Sequence, residues 1–204
     1  LVVRLRSTGH SVTRLARPAS TFEDGSIIWN PERGELDPKA PDGFDAIIHL
    51  GGENVTSQRW SKAQKDRIHN SRVDSVRLLA GALQAATKPP PVFLCASASG
   101  YYGDRGDLVL TEDSEPGTDF LSGSTVAWER ATDRIATESI RVCNLRFGLV
   151  LSASGGILDR LLPIFRLGFG GRLASGRQYT SWISRHDVVR AIEHILTDQS
   201  IFGP

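Results

Sequence analysis

Short apolar runs alternate along the chain with longer stretches whose apolar residues recur every three to five positions. The short runs predict strands over residues 11–15, 26–30, 46–50, 92–96 and 142–146. Two of them, at 46–50 and 92–96, are apolar almost throughout rather than alternating. Continuous hydrophobicity is typical of a strand covered on both faces, as in a parallel sheet.

The longer stretches predict helices, and two of these begin with capping signals. Ser61 and Gln64 have the spacing of a capping box, and the helix that follows closes before the prolines at 89–91. Ser184 and Asp187 have similar spacing at the start of the last helix. Further helical segments are predicted over residues 1–6, 122–139 and 156–165.

Strands that alternate with helices of about ten or more residues predict βαβ units and a parallel sheet. We therefore expect an α/β fold, a Rossmann-like doubly wound parallel sheet. In such sheets ligands bind beyond the carboxyl ends of the strands. Polar residues and glycines follow the predicted strands, so the same ends are the expected place for a site.

Composition narrows the possible partners. The chain has 204 residues, of which 40% are hydrophobic and 23% charged, as in an ordinary globular domain. Lysine and arginine total 24 against 23 acidic residues, with no basic stripe, so nucleic acid is not expected as a partner. No apolar run approaches the ~18 residues that a membrane span needs, and no signal peptide is evident.

The cysteines indicate the compartment. Cys95 and Cys143 each lie inside an apolar run, which favours buried, reduced thiols. We therefore expect a cytoplasmic location.

The end of the first predicted strand carries a candidate cofactor contact. An acidic residue at the end of the second strand of a dinucleotide-binding fold selects NAD, whereas an arginine pairs with the 2′-phosphate of NADP. Arg14 and Arg17 lie there, and no acidic residue occurs between His10 and Glu23. Given the fold, Arg17 predicts NADP(H), and a solvated surface arginine is the alternative interpretation.

Two further elements are candidates for contact with the cofactor. Gly51 and Gly52 directly follow a buried strand, where missing side chains allow a ligand to approach the backbone, although a plain turn explains them equally well. Lys65, Arg67 and Arg72 lie on the next helix. They form either a solvated basic face or a phosphate contact.

A serine and tyrosine cluster follows the strand at 92–96. Ser97, Ser99, Tyr101 and Tyr102 resemble an acid–base site, in which a tyrosine relays a proton during hydride transfer. The usual device for lowering the pKa of such a tyrosine is a lysine four residues later, and the chain has no Tyr-x-x-x-Lys. Packing of the loop is the alternative interpretation of both tyrosines.

Several stretches together resemble one family, the atypical branch of the extended short-chain dehydrogenases/reductases. Proteins of this branch are NAD(P)-dependent epimerase/dehydratase-like and are often called epimerase family or cell-division-inhibitor-like proteins. The order and spacing of the stretches carry the resemblance, which extends over nearly the whole chain. They lie at residues 9–17, 49–55, 59–61, 70–73, 97–103, 128–129, 145–151, 168–171 and 175–183.

The resemblance implies an NADP-binding Rossmann domain over residues 1–150 and a partial substrate-side region over 151–204 that returns to the Rossmann core. It also implies which residues contact NADP(H). These are Ala16, Arg17, Leu50, Gly51, Gly52, Glu53, Arg67 and Arg72. In the wider superfamily the tyrosine–lysine pair falls on the stretch from Ser124 to Trp128, so Trp128 stands where lysine is expected.

The family begins with a strand and a glycine-rich turn that binds pyrophosphate at a helix N-terminus. Neither precedes the helix at the start of this chain. We therefore expect that the first βα unit is missing and that the C-terminal substrate region is incomplete.

Three hypotheses about function follow. The leading one is an NADP(H)-dependent oxidoreductase or sugar-nucleotide epimerase-like protein that acts on a small molecule, either a sugar nucleotide or a carbonyl compound. In it Tyr101 transfers the proton, Ser97 assists, and Gln178 and Trp182 line the substrate side. The second is a redox sensor that binds NADP(H) without turnover, and the third is an inert fragment that binds NADPH poorly.

Overall fold

The computed structural model describes residues 1–18, 25–172 and 175–204. Helices and strands alternate along most of the chain. The helices are α1 (Val2–Ser7), α2 (Lys62–Ala85), α3 (Phe120–Thr132), α4 (Gly156–Arg166) and α5 (Arg185–Thr197), with a 3-10 turn at Ser99–Tyr102. The strands are β1 (Leu15–Ala16), β2 (Ile27–Ile28), β3 (Ile47–His49), β4 (Val92–Ala98), β5 (Arg141–Phe147), β6 (Leu149–Leu151) and β7 (Trp182–Ser184).

All the strand pairs in the described residues are parallel. The main sheet has the order β3-β4-β5, with β4 in the centre, and two smaller sheets pair β1 with β2 and β6 with β7. In the part of the chain that the structure describes, no ladder joins the β1–β2 pair to β3. The predicted α/β class with a parallel sheet is confirmed.

The two capping predictions are also confirmed. The Ser61 side chain accepts a hydrogen bond from the backbone N–H of Gln64 at the start of α2, and Ser184 does the same for Asp187 at the start of α5. Each bond satisfies one of the N–H groups that a helix leaves unpaired at its N-terminus. The caps therefore determine where each helix begins. Helix α2 begins after the loop that follows β3, and α5 begins directly after β7.

The core lies on both faces of β4. Phe93 faces a cluster formed with α2 and α3, and its neighbour Leu94 faces the opposite cluster, formed with β5 and α5. Successive side chains of a strand point to opposite faces, so a strand buried on both sides needs an apolar residue at each position. Helices thus cover both faces of the sheet, and α5 packs its Val188 and Ile192 against the main sheet.

Four features differ from the sequence predictions. Strand β1 covers Leu15–Ala16 rather than residues 11–15. Helix α3 ends at Thr132 rather than near 139, because the chain turns there and a bridge forms between Thr137 and Ile140. Strands β6 and β7 and the 3-10 turn were not predicted.

None of the helices in the described residues is both long and apolar enough to cross a membrane.

Candidate functional site

The carboxyl ends of β4 and β5 carry the polar centre of the molecule. Ser97 and Arg146 are register partners on these neighbouring strands. Glu129 projects from α3, which packs beside β4. The Ser97 hydroxyl donates to Glu129 Oε1 at 2.5 Å. The strand register and the helix together therefore place a hydroxyl, a cation and a carboxylate in one cluster.

Arg146 and Glu129 form a largely buried ion pair. Arg146 Nε donates to Glu129 Oε1 at 2.9 Å, and Nη2 donates to Oε2 at 2.8 Å. Only 10% of the arginine side chain and 12% of the glutamate side chain are exposed. These hydrogen bonds are the main reason why the pKa of Arg146 is raised above its ordinary value, so the guanidinium stays charged.

The same guanidinium contacts both tyrosines of the 3-10 turn. Its Cζ lies 3.6 Å from the centroid of the Tyr101 ring, which is a cation–π contact. Its Nη1 donates to the Tyr102 hydroxyl at 2.9 Å. The two rings contact each other edge to face, with centroids 5.2 Å apart. Arg146 therefore connects Ser97, through Glu129, with the tyrosines.

Backbone contacts hold the tyrosine turn in place. The N–H of Gly117 donates to the Tyr101 carbonyl at 2.8 Å, and the Ser122 hydroxyl donates to the Gly100 carbonyl at 2.9 Å. A Cβ at Gly117 would lie 2.8 Å from the Tyr102 carbonyl oxygen, closer than real Cβ atoms approach backbone. Position 117 therefore needs glycine for the turn to pack as it does.

A second segment approaches this turn from residues 178–182. The hydroxyls of Ser99 and Ser181 lie 2.7 Å apart, and the Tyr179 hydroxyl donates to Asp107 at 2.9 Å. Trp182 follows in β7 with 64% of its surface exposed. The structure thus brings the segment that contains Gln178 and Trp182 next to the tyrosine turn, on the outer side of the cluster.

The carboxyl end of β3 forms the other half of the candidate site. Leu50, Gly51 and Gly52 follow the strand and are exposed. A Cβ at Gly52 would lie 3.2 Å from the guanidinium carbon of Arg72, so the missing side chain leaves room directly beside a cation. Burial lowers the pKa of this arginine from its ordinary value. Its Cζ lies 5.1 Å from the Trp128 ring centroid.

Beneath this turn lies a histidine with an unsatisfied nitrogen. His49 is 5% exposed, and burial lowers the pKa of its imidazole to about 4. The Nε2 atom has no hydrogen-bond partner among the described residues, and neither has Ser124 Oγ or Trp128 Nε1. A Cβ at Gly51 would lie 3.5 Å from His49 Nε2, so the orphan nitrogen faces the glycine turn.

The remaining predicted residues lie in three places. Ala16 ends β1, and Arg17 follows it, exposed and 3.4 Å from Glu32. The Glu53 carboxylate accepts from Ser57 and Gln64 rather than facing solvent alone. Arg67 is exposed and donates to Gln58 and Gln64. Arg72 alone of the two predicted arginines on α2 therefore reaches the glycine turn.

Sequence reasoning assigned no role to Arg146 or Glu129. Their positions are 17 residues apart and the pair forms only when α3 packs beside the sheet. The available signal was the position of Arg146, one residue before the end of a strand whose carboxyl end was already expected to carry the site.

Comparison with known proteins agrees with the fold and places the chain in a family. The model of the NAD dependent epimerase/dehydratase family matches residues 1–202. An epimerase family protein of Mycobacterium bovis is 41% identical over 206 residues, which cover 100% of this chain and 67% of that protein. The human epimerase family protein SDR39U1 is 32% identical over 202 residues, with coverage of 98% and 66%. The chain thus spans about two thirds of the length of these relatives.

Solved structures give the same result. The crystal structure of human SDR39U1 (isoform 2) with NADPH has a TM-score of 0.88 and 29% identity, covering 99% of this chain and 67% of that one. The nucleoside-diphosphate sugar epimerase from Corynebacterium glutamicum has a TM-score of 0.85 and 34% identity, covering 98% and 41%. The predicted Rossmann-like fold is confirmed, and the chain belongs to the NAD-dependent epimerase/dehydratase family.

Proposed function

We propose that the chain is an NADP(H)-binding oxidoreductase or sugar-nucleotide epimerase-like protein in which Tyr101 transfers the proton. The observation that carries the proposal is the position of Tyr101. It lies beyond the carboxyl end of β4, where ligands of parallel sheets bind. A largely buried cation lies against its ring, and its hydroxyl has no hydrogen-bond partner among the described residues.

The chemistry of the residues around β1 and β3 fits a dinucleotide. Arg17 is an exposed cation whose contact with Glu32 is long and solvated, so a 2′-phosphate could replace the carboxylate at little cost. The bare backbone at Gly51 and Gly52, beside Arg72, accommodates a ligand that a side chain would exclude. In this proposal Ala16, Leu50, Glu53 and Arg67 complete the cofactor contacts. The NADPH in the human structure supports the choice of NADP(H) over NAD(H).

The residues of the chain handle the proton, whereas NADPH, when bound, supplies a hydride. Tyr101 donates its hydroxyl proton to the oxygen of a carbonyl as that carbonyl is reduced. Ser97 is a positioning residue in this scheme, because it is buried and its proton is donated to Glu129. It fixes the carboxylate that in turn holds Arg146.

The substrate is proposed to be a small molecule, a sugar nucleotide or a carbonyl compound. The name of the Corynebacterium glutamicum protein, a nucleoside-diphosphate sugar epimerase, favours the sugar nucleotide. Gln178 and Trp182 are proposed to line the substrate side, since their segment lies against the tyrosine turn. The same proposal includes a boundary at residue 150 between the Rossmann domain and the substrate-side region. It also includes a cytoplasmic location, which the two buried, unpaired cysteines favour.

The test is oxidation of NADPH against a panel of nucleoside-diphosphate sugars and carbonyl compounds. We expect turnover on at least one of them, a large loss of turnover in Tyr101→Phe, and unchanged NADPH affinity in that variant. Arg130→Gln is the control, because it removes a charge from an exposed position of α3 that contacts neither tyrosine. Full activity of Tyr101→Phe would exclude Tyr101 as the proton donor.

A redox sensor that binds NADP(H) without turnover is the second candidate. Its support is that α3 carries Ser124 and Trp128, with no tyrosine or lysine, at the positions of the superfamily's usual pair. Binding of NADPH with no turnover on any substrate of the panel would favour the sensor.

A further inference from the structure

Arg146 is a largely buried cation in contact with both tyrosines of the site. It reaches Tyr101 through the face of the ring, at 3.6 Å, and Tyr102 through a hydrogen bond of 2.9 Å to the hydroxyl. A guanidinium is planar and delocalised, so it can stack on one ring and donate in its own plane to a second group. The two contacts are therefore made at the same time by one side chain.

Hydrogen bonds from each of its nitrogens fix the orientation of the Arg146 guanidinium. Glu129 holds Nε and Nη2 in a bidentate pair, and Nη1 donates to the Glu112 carbonyl at 2.9 Å in addition to Tyr102. Ser97 holds the other partner by donating to Glu129. A cation with this many partners cannot turn away from the tyrosines without breaking several charge-assisted hydrogen bonds.

The other cations of the neighbourhood are engaged elsewhere. Lys65 lies over the ring of Phe120, at 5.2 Å, and Arg72 lies over Trp128. A phenol releases its proton readily only if a nearby positive charge stabilises the anion that remains. Arg105 donates to the backbone carbonyl of Tyr102 at 3.0 Å. Among the cations described for this site, Arg146 is therefore the one that contacts the tyrosine rings and a tyrosine hydroxyl.

We propose that Arg146, held by Glu129, stabilises the negative charge that forms on Tyr101 when its hydroxyl releases its proton, with Tyr102 as a positioning residue for the guanidinium. This inference deepens the proposed function and rests on it. As the carbonyl carbon receives hydride from NADPH, which is oxidised to NADP⁺, the O–H bond of Tyr101 breaks and the proton passes to the carbonyl oxygen. Tyr101 then regains a proton from water.

The ionised fraction of Tyr101 tests this inference without cofactor or substrate. Tyrosinate has its own near-ultraviolet absorption band, and subtracting the spectrum of the Tyr101→Phe variant removes the contributions of Tyr102 and Tyr179. In the background of Arg146→Gln, the ratio of tyrosinate to phenol at a fixed alkaline pH should fall about fivefold, a small factor because Glu129 offsets part of the arginine charge.

Two substitutions separate charge from structure. Arg146→Lys keeps the charge and should retain more of the tyrosinate than Arg146→Gln does. Arg130→Gln removes a charge from an exposed position of α3 and should leave the ratio unchanged. An unchanged ratio in Arg146→Gln, or an equal loss in Arg146→Lys and Arg146→Gln, would overturn the inference.

If Arg146→Gln loses its near-ultraviolet circular dichroism and so does not fold, Glu129→Gln serves as the second variant. It removes the carboxylate that offsets the charge of Arg146, so the tyrosinate-to-phenol ratio of Tyr101 should rise in this variant. An unchanged or lower ratio would overturn the inference, whereas absent NADPH oxidation would count against the proposed function alone.

Discussion

Replacing Glu129 by glutamine removes the charge that faces Arg146 and keeps the size of the side chain. In the native protein only 10% of the Arg146 side chain and 12% of the Glu129 side chain are exposed. Breaking a pair this far from water leaves a buried charge without a counterion, which costs about 3–5 kcal/mol. We expect Glu129→Gln to lower the free energy of unfolding by about 3 kcal/mol, the low end, because the amide oxygen still accepts one hydrogen bond.

A double-mutant cycle measured by urea unfolding checks this magnitude. Adding Arg146→Met to Glu129→Gln removes the stranded cation, so the double variant should be no less stable than Glu129→Gln alone. Asp74→Asn is the control, because it breaks the exposed Asp74–Arg77 pair and should cost less than about 1 kcal/mol. A loss below about 1 kcal/mol in Glu129→Gln, or simple additivity in the double variant, would refute the reasoning.

Two further predictions concern the surroundings of the site. Burial lowers the pKa of His49 from 6.5 to about 4. Between these values the unfolded chain binds a proton that the folded protein does not, so the stability that neutral His49 contributes is complete above pH 6.5 and is lost as the pH falls to about 4. The free energy of unfolding, measured by urea denaturation across this range, should fall by about 3 kcal/mol more in the native protein than in His49→Gln, and parallel curves would contradict the assignment. Gly117→Ala should destabilise the protein by about 1–3 kcal/mol, because its Cβ would meet the Tyr102 carbonyl oxygen at 2.8 Å. Gly81→Ala on α2, with nothing within 4 Å of its Cβ, should instead stabilise the helix by about 0.5–1 kcal/mol in the same unfolding assay; equal effects would refute the clash.

Local signals predicted the elements whose ends are set by their own residues. Helix α2 begins after Ser61 because the serine caps it, and α5 begins after Ser184 for the same reason. The predicted helix over 122–139 was too long because Ile135 continues the spacing of apolar residues. Ile135 is buried, but it lies in the turn after α3 rather than in the helix. The periodicity of apolar residues indicates which positions are buried, and a position can be buried after the helix has ended.

The elements that depend on distant partners were the ones that the sequence did not reveal. Strands β6 and β7 have three residues each and pair across about thirty intervening positions, so neither contains a pattern of its own. The tyrosines were predicted from their place after a strand. The ion pair that holds them was not, because it depends on the β4–β5 register and on the packing of α3.

Calorimetry of NADPH and NADH binding tests the central claim most directly, namely that this chain is built around NADP(H). We predict that NADPH binds at least about tenfold more tightly than NADH, as expected for one charge-assisted contact with the 2′-phosphate. Arg17→Ala should bring the ratio of the two affinities close to one and leave the affinity for NADH unchanged, whereas Arg130→Gln should change neither. Equal affinities in the native protein, a ratio that survives Arg17→Ala, or no binding of either nucleotide would contradict the account.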